Sequence, residues 1–212
     1  MSVKPIFFAL DGKHLDNFSR ELEILKGNIY GVKVGLEIFT SEGPSSVEKL
    51  KKDGWTVFLD LKLHDIPNTV QAAAISAGNI GADYLTIHIA SGKEALLAAK
   101  ESKSENLKLL GVSSALTSKA YSPEISQKVY EEFLLAKESK IDGVICPPSE
   151  LVKTKELFEL IVTPGIRLKN DDSHDQKNIT TPEKAIRDGA SYLVMGRSIR
   201  QNINYVVEKL KL

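Results

Sequence analysis

The chain has 212 residues, of which 42% are hydrophobic and 26% charged, and its 28 basic side chains balance 28 acidic ones. This length suits one domain, or at most a compact pair, and the zero net charge excludes a broad electrostatic attraction to nucleic acid or anionic membranes. The single cysteine, Cys146, excludes an intramolecular disulfide, and no apolar run is long enough for a signal peptide or a membrane span. We therefore expect a cytoplasmic protein that binds neither nucleic acid nor membrane.

Short apolar runs alternate with helix-like segments along the whole chain. The apolar runs predict strands near residues 5–11, 30–35, 55–63, 83–89, 107–112, 142–146, 159–163 and 191–195. The segments between them predict helices near residues 15–26, 43–52, 67–80, 93–101, 123–139, 148–157, 182–188 and 198–211. This alternation is typical of a parallel sheet covered by helices, and so of the α/β class.

Glycine and proline mark the ends of these predicted helices. Between a helix and the next strand stand Gly31, Gly54, Gly81, Gly143 and Gly189, where a left-handed residue can end a helix. At the helix starts stand Pro67, Pro123, Pro148 and Pro182, which suit a first turn because no amide donor is needed there. We expect one (β/α)₈ TIM barrel domain over residues 1–212. An open doubly wound sheet is the alternative, although the G-x-G-x-x-G turn of a dinucleotide site is missing from the sequence.

Charged residues collect at the carboxyl ends of the first three predicted strands. Asp11 ends the first strand, Lys33 lies on the second, and Asp60 and Lys62 lie two residues apart on the third. Barrel enzymes place their chemistry at this end, and a period of two points Asp60 and Lys62 to the same side. An alternating Asp-Lys-Asp-Lys row would keep every member ionised and place an ammonium where negative charge develops. A structural ion-pair network is the alternative interpretation.

The last two strands end in a pattern that indicates a phosphate site. Strand seven runs into "TPGIR" at 163–167 and strand eight into "MGRS" at 195–198. Gly165 and Gly196 permit close backbone approach, and Arg197 adds a guanidinium at the start of a helix. The alternative is a tight turn followed by a surface cation. The polar segment 167–181 predicts a lid carrying a phosphate contact at Gln176, with an ordinary surface loop as the alternative.

The segment "DLKLHDIPNT" at 60–69 resembles the signature of the orotidine 5′-phosphate decarboxylase family, Asp-x-Lys-x-x-Asp-Ile-Pro-x-Thr. The resemblance continues in family order through "ALD" at 9–11, "KVGLE" at 33–37, "LTS" at 116–118, "TPGIR", "DQ" at 175–176 and "MGRS". It implies a cofactor-free barrel enzyme that converts orotidine 5′-phosphate to uridine 5′-phosphate and CO₂, the last step of de novo UMP biosynthesis. It also implies a homodimer with active sites at the interface.

The resemblance implies a role for each matching residue. Lys62 would protonate C6 of the pyrimidine, Asp60 would lie beside the substrate carboxylate, and Asp65 would reach in from the neighbouring subunit. The substrate-binding residues would be Asp11 and Lys33 at the ribose, Thr69 from the neighbour, Thr117 at the pyrimidine edge, and Arg167, Gln176, Gly196 and Arg197 towards the phosphate. No metal and no other cofactor is expected.

Two other functions remain open from the sequence. Asp-x-Lys-x-x-Asp alone also occurs in relatives that act on sugar phosphates with Mg²⁺, but these should carry a metal-binding carboxylate on strand two, where this chain has Lys33. A nucleotide-binding barrel with a lost activity is the non-enzymatic alternative. The complete set of charges argues against it, because a lost activity should leave gaps.

Overall fold

The computed structural model describes residues 3–116, 122–168 and 179–212. Eight parallel strands pair in chain order and close into a barrel, with β8 hydrogen-bonded to β1. The strands are β1 Lys4–Leu10, β2 Ile29–Gly35, β3 Thr56–Leu63, β4 Tyr84–His88, β5 Lys108–Val112, β6 Gly143–Ile145, β7 Ile161–Thr163 and β8 Tyr192–Met195. The predicted TIM barrel is confirmed, and each strand lies within two residues of its predicted bounds.

Helices connect the strands on the outside of the barrel. They are α1 Ser19–Leu25, α2 Leu36–Glu42, α3 Pro44–Lys52, α4 Pro67–Asn79, α5 Lys93–Ser102, α6 Pro123–Glu138, α7 Leu151–Thr154, α8 Pro182–Asp188, α9 Arg197–Gln201 and α10 Ile203–Glu208. The side chains of Ser122 and Thr181 accept hydrogen bonds from backbone amides at the starts of α6 and α8. Such caps fix where a helix begins and therefore where the preceding loop ends.

The predicted helices differ from the observed ones in four places. Two are 3₁₀ turns, Leu15–Phe18 and Pro148–Glu150, which precede α1 and α7. Helix α2 follows β2 directly and lies outside the helices predicted from the sequence. The predicted helix over 198–211 is two helices, because Asn202 leaves the helical conformation between them, with φ −134° and ψ 34°.

The proposed helix-ending role is confirmed for three glycines and wrong for two. Gly54, Gly81 and Gly189 have positive φ after a helix. Gly31 and Gly143 instead lie inside β2 and β6, where a Cβ atom would stand 2.5 Å from the Thr56 carbonyl oxygen and 2.4 Å from the Leu160 carbonyl oxygen. These two are glycine because neighbouring backbone comes too close for any side chain.

The lower part of the barrel interior is filled by aromatic rings. The Phe7 ring contacts the rings of Tyr30, Phe58, Tyr84 and Tyr192 at centroid distances of 5.3–5.4 Å. The three tyrosines stand at the amino ends of their strands, and Tyr30 and Tyr84 share a hydrogen bond of 2.8 Å between their hydroxyls. The amino end of the barrel is therefore packed, which leaves the carboxyl end for a cavity.

We predict that Gly143→Ala lowers the free energy of unfolding by about 1–3 kcal/mol, because the new methyl group would overlap backbone that cannot easily move. Urea unfolding followed by circular dichroism measures this change. Gly27→Asn is the matched control: Gly27 has φ 76° and nothing within 4 Å of its Cβ position. Asparagine tolerates that conformation, so the control should lose less than about 1 kcal/mol. Equal losses in the two variants would contradict this explanation of Gly143.

Candidate active site

A cavity of about 240 Å³ opens at the carboxyl ends of the strands. Its walls are Ala9, Asp11, Lys33, Phe58, Asp60, Lys62, Leu116, Ile145, Pro164, Gly165, Arg167, Val194, Gly196 and Arg197. The barrel therefore brings together both groups of residues that the sequence singled out, the charges of strands one to three and the Gly-Arg ends of strands seven and eight.

The four charges form a continuous row along one wall of the cavity. Lys33 Nζ lies 3.5 Å from Asp11 Oδ1 and 3.4 Å from Asp60 Oδ2. Lys62 Nζ donates a hydrogen bond of 2.8 Å to the other oxygen of the same carboxylate, Asp60 Oδ1. The Lys33 and Asp60 side chains are each only 12% exposed, whereas that of Asp11 is 66% exposed. The inner charges are thus shielded from water and held by one another.

Asp60 stays ionised in this row. Burial raises the pKa of its carboxyl, but the charges of Lys33 and Lys62 and the hydrogen bonds from Lys62 and Thr86 lower it by more. The resulting pKa lies below the ordinary value of 3.8. Asp60 therefore carries a negative charge at neutral pH and holds the Lys62 ammonium at a fixed point in the cavity.

The backbone at Lys62 departs from regular strand geometry. Lys62 has φ 50°, a left-handed value that costs a non-glycine residue about 1–2 kcal/mol. The β3–β4 register shifts between Leu59, which pairs with Leu85, and Leu63, which pairs with Ile87. The prediction that Asp60 and Lys62 share the cavity is confirmed, but its basis in a regular period of two is wrong at this point. Local backbone strain of this kind is common at functional sites.

A second part of the cavity wall, next to Asp11, presents the glycine and arginine residues of the last two strand ends. Gly165 has φ 77°, and Arg167 donates a hydrogen bond of 2.9 Å to the Ile166 carbonyl oxygen. A Cβ atom on Gly196 would stand 3.1 Å from Asp11 Oδ2, so a side chain at this position would crowd the Asp11 carboxylate. This wall combines close backbone approach with cationic side chains, a combination suited to an anion.

The predicted lid is described only at its two ends. Arg167 N donates to the Thr180 carbonyl oxygen at 3.0 Å, and Thr180 N donates to the Gly165 carbonyl oxygen at 3.1 Å. Backbone hydrogen bonds therefore join the two ends of the segment beside the cavity. Gln176 lies outside the described residues, as does Thr117, so their predicted contacts stay predictions.

Two predicted residues do not line the cavity of their own chain. Asp65 and Thr69 are both exposed, Asp65 just before α4 and Thr69 in its first turn. Asp65 Oδ1 accepts a hydrogen bond of 2.8 Å from Ile66 N and borders an open surface depression that also includes Pro67. Neither residue is among those that line the cavity.

The sequence interpretation missed an apolar part of the cavity. Phe58, Leu116, Ile145 and Val194 line it together with the charged row. Phe58 could have been found, because it precedes Asp60 by two residues and so shares its side of β3. An ammonium beside a dry apolar surface can stabilise a developing anion and deliver a proton to it.

His88, at the end of β4, lies beside the charged row. Its ring is 5.3 Å from that of His64. Burial lowers the pKa of His88, and the neighbouring His64 and Lys62 lower it further. His88 is therefore neutral at neutral pH, so it adds no charge to the row.

The described part of the chain contains no group of three or more His, Cys, Asp or Glu side chains spaced to hold a metal ion. Over the same residues, no helix is long and apolar enough to cross a membrane.

Comparison with known proteins identifies relatives over almost the whole chain. The family model described as "Orotidine 5′-phosphate decarboxylase / HUMPS family" matches residues 4–210. A protein of Fusobacterium nucleatum named orotidine 5′-phosphate decarboxylase is 40% identical over an alignment of 219 positions, gaps included, that covers 95% of this chain and 91% of the relative. A protein of Halalkalibacterium halodurans with the same name is 38% identical, over 93% of this chain and 92% of the relative.

Solved structures give the same result. The crystal structure of orotidine 5′-phosphate decarboxylase from Lactobacillus acidophilus has a TM-score of 0.77 and 32% identity, covering 93% of this chain and 92% of that one. The enzyme of the same name from Pyrococcus horikoshii has a TM-score of 0.75 and 25% identity, covering 92% of this chain and 91% of that one.

The lowered pKa of Asp60 predicts a specific pH dependence of stability. Because the folded pKa lies below the unfolded value, the ionised carboxylate stabilises the fold above that unfolded value, and this contribution is lost as pH falls through the folded pKa. We expect the free energy of unfolding of the wild type, relative to Asp60→Asn, to decrease as pH falls below about 5, through the unfolded pKa and on to the lower folded one. Urea unfolding at a series of pH values measures it.

Asp16→Asn is the matched control, because Asp16 also pairs with a lysine, Lys49, at 2.9 Å, but its side chain is 83% exposed. About 0.5 M NaCl should screen the pH dependence that Asp16 gives to the free energy of unfolding, and it should leave the pH dependence due to Asp60 unchanged. A difference for Asp60→Asn that is constant with pH, or that grows on acidification, would contradict the account.

Proposed function

The chain belongs to the orotidine 5′-phosphate decarboxylase / HUMPS family, and we propose that it decarboxylates orotidine 5′-phosphate to uridine 5′-phosphate and CO₂, the last step of de novo UMP biosynthesis. The observation that carries the proposal is the pair Lys62–Asp60, in which a buried carboxylate holds an ammonium at 2.8 Å inside the cavity. Orotidine 5′-phosphate and UMP are the proposed ligands.

The reaction needs a positive charge and a proton at one point. When the bond between C6 and the carboxylate breaks, CO₂ leaves and the electron pair stays on C6. In the proposed mechanism Lys62 stabilises this pair by its charge and donates a proton to form the new C6–H bond, and water then reprotonates the amine. Asp60 fixes the ammonium beforehand, so little reorganisation is needed at the moment of reaction. Its own charge would lie beside the substrate carboxylate.

The other residues of the site would bind the ribose, the phosphate and the edge of the pyrimidine. We assign the ribose hydroxyls to Asp11 and Lys33, which line the same cavity and continue the charged row from Asp60. Arg197, with Arg167, Gly196 and Gln176, would bind the phosphate, and Thr117 the pyrimidine edge. Binding energy from the phosphate, far from C6, would then hold the ring against Lys62.

The position of Lys33 supports a cofactor-free reaction over a metal-dependent one on a sugar phosphate. Its ammonium lies 3.4 Å from Asp60 and 3.5 Å from Asp11, so it already supplies the positive charge between the two carboxylates. A divalent cation at that point would be repelled by the lysine.

A homodimer with shared active sites is part of the proposal. Asp65 and Thr69 are exposed and do not line their own cavity, as expected of residues that complete a neighbour's site. Ile66, between them, is an apolar side chain that is 67% exposed, and contact with a second copy would cover it.

We propose the cytoplasm as the location, since a chain with one cysteine forms no disulfide of its own. We propose no nucleic-acid or membrane partner.

We predict that the purified chain converts orotidine 5′-phosphate to UMP in excess EDTA, followed as loss of substrate absorbance. Lys62→Ala should lower kcat at least about 10³-fold with the fold intact by circular dichroism. Lys51→Ala is the control, because Lys51 pairs with Asp83 outside the cavity. No turnover in EDTA, together with Mg²⁺-dependent turnover of a sugar phosphate, would overturn the proposal.

Subunit mixing tests the shared site. Lys62→Ala and Asp65→Ala chains should each be nearly inactive, but a mixed dimer contains one site with Lys62 from one chain and Asp65 from the other. Random mixing should restore about a quarter of wild-type activity, because half of the dimers are mixed and one of their two sites is intact.

Lys62→Ala mixed with Lys33→Ala is the control for this experiment. Both residues serve the cavity of their own chain, so no mixed dimer gains an intact site. Recovery in the control, or none in the test, would contradict a shared site.

A further inference from the structure

The β3–β4 pairing leaves a gap directly beside Lys62. Leu59 pairs with Leu85 and Leu63 pairs with Ile87, so the three residues 60–62 of β3 face the single residue Thr86 of β4. On its other side, Thr86 keeps regular pairing with Leu110 of β5. The irregular part of β3 therefore lies against a residue that is itself held by the sheet.

The Thr86 hydroxyl fills this gap with two hydrogen bonds. Thr86 Oγ1 accepts a hydrogen bond of 2.8 Å from Lys62 N, and donates one of 3.0 Å to Asp60 Oδ1. Thr86 is completely buried. Its side chain thus supplies the acceptor that the interrupted ladder does not offer to Lys62 N, at the residue with φ 50°.

From these contacts we propose that Thr86 is a positioning residue for the decarboxylation, a role that rests on the proposed function. It fixes Lys62 at both ends. It holds the left-handed backbone directly, and it holds the ammonium through Asp60, whose Oδ1 accepts hydrogen bonds from both Thr86 and Lys62 Nζ.

This double contact requires a hydroxyl. One group must accept a hydrogen bond from an amide and donate one to a carboxylate at the same time, which no aliphatic side chain can do. A valine at this position would fill the same volume but leave Lys62 N without its acceptor and Asp60 without one donor. The rest of the charged row, Lys33 and Asp11, would keep its contacts.

The test compares Thr86→Val, which keeps shape and loses the hydroxyl, with Thr86→Ser, which keeps the hydroxyl and loses a methyl group. We expect Thr86→Val to lower kcat about 10- to 100-fold with KM within about threefold of the wild type. Thr86→Ser should keep kcat within about threefold. If Thr86 only filled space, valine would be the better replacement, and kcat for Thr86→Val equal to or above that of Thr86→Ser would overturn the proposal.

A second readout does not depend on turnover. Asp60 is faced by Lys33 from β2, by Lys62 from its own strand and by Thr86 from β4, and Asp11 reaches the same Lys33 from the end of β1. Removing the Thr86 donor should raise the pKa of Asp60 in Thr86→Val and not in Thr86→Ser, as measured by carboxyl ¹³C NMR. An unchanged pKa of Asp60 in Thr86→Val would refute the positioning role.

The two proposals fail in distinguishable ways. Wild type that does not turn over orotidine 5′-phosphate would refute the proposed function, while the NMR titration would still decide whether Thr86 controls Asp60. Active wild type with equally active Thr86→Val would refute the role of Thr86 alone.

Discussion

The ionised carboxylate of Asp60, held between two lysines, is the interaction on which the rest of the site depends. Burying one charge without partners would be strongly unfavourable, and Asp60 is tolerated because Lys33 and Lys62 each contact one of its oxygens. The charge of the carboxylate in turn offsets those of the two lysines, of which Lys33 is only 12% exposed. Neither sign of charge could be kept alone, so the row behaves as one unit.

The barrel makes this unit possible by separating packing from chemistry. Aromatic rings around Phe7 fill the amino end of the interior, whereas the carboxyl end stays open and polar. The strands bring the charged row and the Gly-Arg ends of β7 and β8 to the two walls of one cavity. Stability is therefore built largely away from the reacting groups, which lets β3 carry an irregular backbone at Lys62.

Much of the fold and of the charged row could be predicted from the sequence because both follow from periodic patterns and strand ends. Interactions between strands could not be predicted in the same way. Gly31 and Gly143 were interpreted as helix ends. Their actual role, which is to let the backbone of Thr56 and Leu160 come close, arises only in the closed barrel and leaves no local pattern in the sequence. Thr86 was missed because its role arises only when β3 and β4 shift their register. Neither Asp65 nor Thr69 lines the cavity, and the role proposed for both requires a second chain.

The most direct measurement of the central claim is a crystal structure of the protein with UMP bound. We predict that the pyrimidine C6 lies about 3–3.5 Å from Lys62 Nζ and that the phosphate is bound at Arg197 and Gly196. A nucleotide bound in the reverse orientation, or with C6 out of reach of Lys62, would contradict it.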